Sequence, residues 1–113
     1  MGVLLLHFMK IKLIKAKTIQ EYMTDNAQSR ASFTAFIQLI RASDWNTLED
    51  IQKVFPRASI ICEGKRVVFR IGGNQYRMIC GIMFGRKYVF LFVKFIGTHS
   101  EYDNVDVCEV DNY

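Results

Sequence analysis

The sequence predicts an α+β fold in which an antiparallel sheet carries N-terminal helices on one face. Three observations lead there. Residues 67–103 hold alternating apolar runs broken at Gly72-Gly73 and Gly85-Arg86, pairs that tolerate the positive φ of tight turns. Upstream, Phe33, Phe36, Ile37 and Ile40 recur at i, i+3, i+4 and i+7, the stripe of an amphipathic helix. Helical signals come before the run of strands, an order that segregates helices to one side of a sheet.

Residues 9–15 alternate Lys10, Lys12 and Lys15 with Ile11, Leu13 and Ile14, the pattern of an edge strand with its charges outward. Thr18 and Glu21 have the spacing of a capping box, followed by Ile19, Tyr22 and Met23 as a helical stripe that Asp25-Asn26 interrupts. Ser29 or Ser32 caps the second helix and Ser43-Asp44 ends it, with Trp45 in a loop. Asn46-Thr47 opens a short helix that turns Leu48, Ile51 and Val54 inward and stops at Phe55 before Pro56. A brief strand from Ser59 to Cys62 leads to a turn at Glu63-Gly64-Lys65.

With two-residue turns, Val68 faces Arg77 and Arg77 faces Lys94 across adjacent strands. Directly paired residues share a sheet face, so parity sorts the side chains. Val67, Phe69, Ile71, Tyr76, Met78, Cys80, Ile82, Phe84, Val89, Leu91, Val93 and Phe95 fall on a face that must be covered. Arg70, Gln75, Arg77 and Lys94 fall on the other, among Val68, Ile79, Met83, Tyr88, Phe90, Phe92 and Ile96.

Composition bounds the function. The chain of 113 residues is half hydrophobic with a single proline, which fits one globular domain and excludes extensive disorder. All 15 Lys and Arg precede residue 100, whereas Glu101, Asp103, Asp106, Glu109 and Asp111 crowd the C-terminus. A basic body of this kind favours nucleic acid or an acidic protein. Residues 1–8 read as a disordered leader, 9–103 as the folded domain, and 104–113 as a mobile acidic tail. Cys62, Cys80 and Cys108 are odd in number, lack metal-ligand spacing and suit a reducing cytoplasm. The apolar opening run is too short to span a membrane, and its lysines follow rather than precede it.

Chemistry is expected on the cationic face. Arg77 and Lys94 as neighbours repel, and a phosphate between them resolves the conflict. Tyr88, Phe90 and Phe92 are placed to stack on unpaired bases. Gly97 permits a sharp turn that returns His99 over the basic face, where His99 and Tyr102 offer acid–base groups. No metal site or cofactor motif is legible: the carboxylates lie in helices and tail, and no P-loop, nucleophile elbow or dinucleotide fingerprint occurs.

The runs VVFRIGGNQYRMICGIMF and VKFIGTHSEYD, with SDWNTLEDIQKVFPRAS and KIKLIKAKTIQEY upstream, resemble the HigB group of RelE-like toxins over Met9 to Asp106. The resemblance implies a RelE-like fold and a metal-independent endoribonuclease that cleaves mRNA in the A site of the 30S ribosomal subunit. It also implies a HigA-type helix-turn-helix antitoxin as partner, no membrane association and a cytoplasmic location. Carried onto this chain, Arg77 and Lys94 bind phosphate and stabilise transition-state charge, and His99 and Tyr102 transfer protons. Arg70, Gln75 and Phe92 join Arg77 and Lys94 in holding RNA, while Asn74 stabilises its turn. A non-catalytic RNA- or protein-binding module on the same face is the alternative.

Overall fold

Residues 8–113 are described by a computed structural model. The expected leader therefore lies outside the described residues, apart from the exposed Phe8. The chain runs β1 (Met9–Ile14), α1 (Ala16–Asp25), a 3-10 turn (Ala27–Ser29), α2 (Arg30–Arg41), β2 (Asp44–Trp45), α3 (Leu48–Val54), β3 (Ser59–Ile61), β4 (Arg66–Ile71), β5 (Tyr76–Phe84), β6 (Tyr88–Thr98) and α4 (His99–Tyr102). Among the described residues the strands make one sheet in the order β2-β1-β6-β5-β4-β3.

That sheet is mixed, not antiparallel. β1 runs parallel to β6, with Leu13 beside Leu91, and antiparallel to β2. Nor is β1 an edge strand, because the two-residue β2 lies outside it. Alternation fixes which face a side chain takes but not which strand lies alongside, and so the parallel neighbour was invisible to it. The lysines are still outward: Lys10 pairs with Asp44 at 3.0 Å, and Lys12 lies 4.3 Å from the Tyr88 ring centroid.

Local chemistry explains the helix ends. Lys15 takes a left-handed conformation (φ 66°) and turns β1 directly into α1. The helix therefore starts at Ala16, Thr18 already lies in its first turn, and the expected capping box does not form. Ser29 holds the N-cap position of α2, yet its hydroxyl donates to the Asn26 carbonyl (2.6 Å) instead of capping. At α3 the capping box is complete, with Thr47 and Asp50 satisfying each other's backbone amides. Trp45, expected in a loop, is fully buried in β2, and its indole nitrogen finds no partner among the described residues.

Apolar side chains of α1, α2 and α3, among them Ile19, Phe33, Phe36, Ile40 and Ile51, form one core with Val67, Phe69, Ile71, Tyr76, Met78, Cys80, Val89, Leu91 and Val93. Both hairpins differ from the two-residue turns by two residues. Ile71 pairs with Tyr76 and Phe84 with Val89, so each connection spans four residues. A shift of two preserves parity, and the face assignment survives. A bulge then breaks it. Cys80 pairs with Val93 but Ile79 pairs with Phe95, which makes Lys94 the extra residue on β6. Beyond the bulge the faces exchange: Ile96 joins the main core, and Phe95 turns to the opposite face with Val68 and Ile79.

Residues 104–113 form no free tail. Val105, Val107 and Val110 pack on Val68, Ile79 and Phe95, and Arg66 donates to the carbonyls of Val107 (3.0 Å) and Val110 (2.6 Å). The Asn112 amide donates to the Lys94 carbonyl (2.9 Å). Burial first, and then the charges of Glu101 and Glu21, push the Tyr113 hydroxyl above its ordinary range. The same segment carries Cys108, disulfide-bonded to Cys62 across 46 residues. Closing such a loop stabilises by ~4 kcal/mol in the chain-entropy picture. The three cysteines therefore make one bridge and one buried thiol, Cys80, whose pKa burial raises far above its usual range. The face opposite α1–α3 is thus crossed by a strap anchored at both its sides.

Candidate nucleic-acid interface

Arg70 and Arg77 are direct cross-strand partners, placed by the four-residue turn between β4 and β5. Sequence counting gave Arg77 two other partners, Val68 and Lys94. The longer β4–β5 turn moves Val68 onto Ile79, and the longer β5–β6 turn together with the bulge puts Gly97 opposite Arg77. The repulsion expected between Arg77 and Lys94 is therefore found between two arginines.

Arg70 is exposed, whereas Arg77 is only 4% accessible. The Arg77 Nη1 donates to the carbonyls of Asn74 and Tyr76, each at 3.2 Å. Its guanidinium carbon lies 5.8 Å from the Tyr102 ring centroid. Among the described residues no carboxylate approaches it within ion-pair distance. Burial lowers the Arg77 pKa first, then the Arg70 charge; Tyr102 opposes them, Arg57 adds to the depression, and Asp103 opposes it. An arginine stays protonated through such a shift, so the outcome is a fixed, desolvated cation.

Arg57 is the residue the sequence reading missed. It donates to the Asn74 side-chain oxygen at 2.8 Å, so Asn74 draws Arg57 to one atom and Arg77 to another. Asn74 thus organises the turn and two of its arginines. Position after Pro56, remote from the hairpin in sequence, gave Arg57 no periodic signal.

The far wall of the site is α4. Gly97 lets the chain turn there, because a Cβ at this position would lie 2.6 Å from the Phe95 ring and 3.1 Å from a Glu101 oxygen. Thr98 caps the helix and Glu101 returns the bond to the Thr98 amide. The His99 amide donates to the Gln75 carbonyl (3.0 Å), tying α4 to the β4–β5 turn. The side chain over Arg77 is Tyr102, not His99. His99 is half exposed and pairs through Nδ1 with Asp103 at 3.2 Å.

Other expected members stand apart. Gln75 sits exposed in the turn, not opposite Arg70. Lys94 shares the face of Arg77, since a Cβ on Gly81 would lie 3.5 Å from its Cε, but its ammonium is held by Asp111 of the strap at 3.3 Å. Phe92 pairs with Gly81 and stacks on Phe90 (6.3 Å, 27°). By register, the strap at Ile79 separates Arg70, Arg77 and Tyr102 from Phe90, Phe92 and Met83. Among the described residues no three His, Cys, Asp or Glu side chains gather to hold a metal ion, and no helix is long and apolar enough to cross a membrane.

Fold and site define a small α+β protein with a cationic site at one end of a mixed sheet. Over residues 29–105 the chain matches the HigB toxin family, described as the RelE-like toxic component of a toxin-antitoxin system, and it belongs to that family. It is therefore the toxin of such a system, and an antitoxin is its partner. The matched span contains every arginine of the cluster and all of α4, and stops before Cys108 and Asp111. A comparison with curated proteins returns no match.

Proposed function

We propose that this toxin is a metal-independent endoribonuclease that cleaves mRNA on the translating ribosome in the cytoplasm, with a HigA-type antitoxin as its neutralising partner. The observation that carries the reading is Arg77, a buried cation without a carboxylate, beside Arg70 and under Tyr102. An unpaired desolvated charge is costly, and a phosphodiester is an anion that relieves it.

In the reaction, the ribose 2′-oxygen attacks the adjacent phosphorus and surrenders its proton to a base. The 5′-oxygen leaves with a proton from an acid, giving a 2′,3′-cyclic phosphate and a 5′-hydroxyl. Arg77 meets the extra negative charge on the pentacoordinate phosphorus, and Arg70 and Arg57 hold the flanking backbone. Tyr102 and His99 are the groups proposed for the two protons. The Asp103 contact at His99 Nδ1 orients the imidazole and leaves Nε2 for substrate.

Expression without antitoxin should arrest growth, and a message in a translating extract should be cut to fragments ending in a 2′,3′-cyclic phosphate. Arg77→Ala should slow cutting about a hundredfold. RNA retained without cleavage would favour the binding module; equal cutting by the variant would refute the assigned site.

A further inference from the structure

We propose that Cys62–Cys108 is a redox latch that holds the acidic C-terminal strap on the cationic face, and that its reduction by a dithiol frees Lys94 for an RNA phosphate. The proposal rests on the RNA reading above.

Four features make the strap a competitor of substrate. Its Asp111 carboxylate occupies Lys94 at 3.3 Å, the position a phosphate oxygen would take. Three valines seal the face between the arginine cluster and the Phe90–Phe92 stack, dividing what would otherwise be one continuous track. Arg66, a further cation, is spent on the strap carbonyls of Val107 and Val110. Among the described residues, one disulfide cross-links this segment to the sheet, the bridge from Cys108 to Cys62.

The latch is accessible and its backbone unusual. Cys108 is exposed, and a cleft of about 410 Å³ lined by Cys62, Glu63, Lys65, Arg66, Cys108 and Glu109 opens beside the bridge. Cys62 and Glu63 both have positive φ, 56° and 58°, at a hairpin position that suits Gly or Asn. Consecutive non-glycine residues in that region are strained, and such strain concentrates at switches. In a reducing compartment, the disulfides that form are usually transient and either catalytic or redox-sensing.

Opening follows thiol–disulfide exchange. A thiolate of the dithiol attacks one sulfur, the Cys62–Cys108 bond breaks, and the second thiol resolves the mixed disulfide. The protein gains two electrons and two protons as two cysteine thiols, and the dithiol leaves as its disulfide. The strap is then held by noncovalent contacts alone: its valines, Arg66, Asp111 and the Asn112 amide on the Lys94 carbonyl.

The test compares oxidised and dithiothreitol-reduced full-length toxin, with Cys62→Ser as a permanently open form. Amide exchange over residues 105–112 is measured alongside binding of a single-stranded oligoribonucleotide whose 2′-O-methyl sugars prevent cleavage. Reduction should speed exchange across the strap, raise affinity about tenfold, and steepen the salt dependence by about 0.7 in log–log slope, the value of one added phosphate contact. Asp111→Asn in the oxidised protein should raise affinity about two- to fivefold. Unchanged exchange on reduction overturns the latch. Faster exchange with unchanged affinity and slope overturns the competition for Lys94. Binding in neither state is a failure of the RNA reading, and the exchange measurement alone then decides the latch.

Discussion

Arg70 and Arg77 face each other directly across β4 and β5, one exposed and the other buried with backbone carbonyls for partners. Like charges opposite one another destabilise a sheet, and a buried ion without a counter-charge adds to the cost. We predict that Arg77→Met leaves the thermal midpoint unchanged or raises it, since an apolar side chain of similar length removes both penalties. Cleavage of a message in a translating extract should fall by about 10²–10³-fold, corresponding to ~3–4 kcal/mol of transition-state stabilisation. A variant that melts earlier and still cuts at the wild-type rate would show Arg77 to be a structural arginine.

Tyr102 has an observed packing contact and a proposed chemical role, and substitution separates the two. Its ring packs with Val68, Ile79 and Phe95 and lies over Arg77, whereas its hydroxyl is the group proposed for proton transfer. Tyr102→Phe keeps ring and cation contact, so stability should change by less than about 0.5 kcal/mol. Binding of an uncleavable oligoribonucleotide should be retained while cleavage slows about a hundredfold. Tyr102→Ala should lose stability as well as activity. If the Phe variant cuts at the wild-type rate in single-turnover assays, the hydroxyl carries no proton.

Patterning revealed the covered face because a two-residue error in each turn leaves parity intact; eleven of its twelve predicted members lie in or against the main core. It failed at Phe95 and Ile96, beyond the Lys94 bulge, since a bulge depends on three-dimensional closure and not on a local signal. The parallel β1–β6 pair escaped for a related reason: alternation is blind to neighbours. At the site, Arg77 stood out as a charge within an apolar strand, but Arg57 is brought to it by its bond to Asn74, seventeen residues along the chain. Patterning placed Cys80 on the covered face, but the bridge between Cys62 and Cys108 was illegible because the cysteines read as reduced thiols and no local pattern brings together residues 46 apart.

Gly97 is the steric hinge between β6 and α4. A methyl group there would meet the buried Phe95 ring at 2.6 Å on one side and the capping Glu101 on the other, so neither can give way cheaply. Gly97→Ala should therefore destabilise by about 1–3 kcal/mol in urea titration and reduce cleavage by displacing Tyr102. Adding Phe95→Leu, which removes the ring atom in conflict, should recover part of the lost stability relative to the sum of the two single changes. Strict additivity of the two would place the strain elsewhere.

Asp50 gives the protein an acid-sensitive joint away from the site. Its carboxylate accepts the Asn46 amide at 2.8 Å and the Thr47 amide at 3.0 Å, and Lys53 lies 3.5 Å away. The Asn46 bond is the main cause that lowers its pKa, against an opposing contribution from burial, with Thr47 and Lys53 assisting. A folded-state pKa below the unfolded one means that the carboxylate contributes stability above the unfolded value of about 4, and that the contribution is lost as pH falls through the folded value. Asp50→Asn should therefore cost about 1 kcal/mol at pH 7, the usual worth of a helix cap, and progressively less below pH 4. Urea midpoints of the two proteins at pH 7, 4 and 2.5 measure this directly. The gap should narrow on acidification. A gap of constant size would show that hydrogen-bond geometry, and not the carboxylate charge, secures the start of α3.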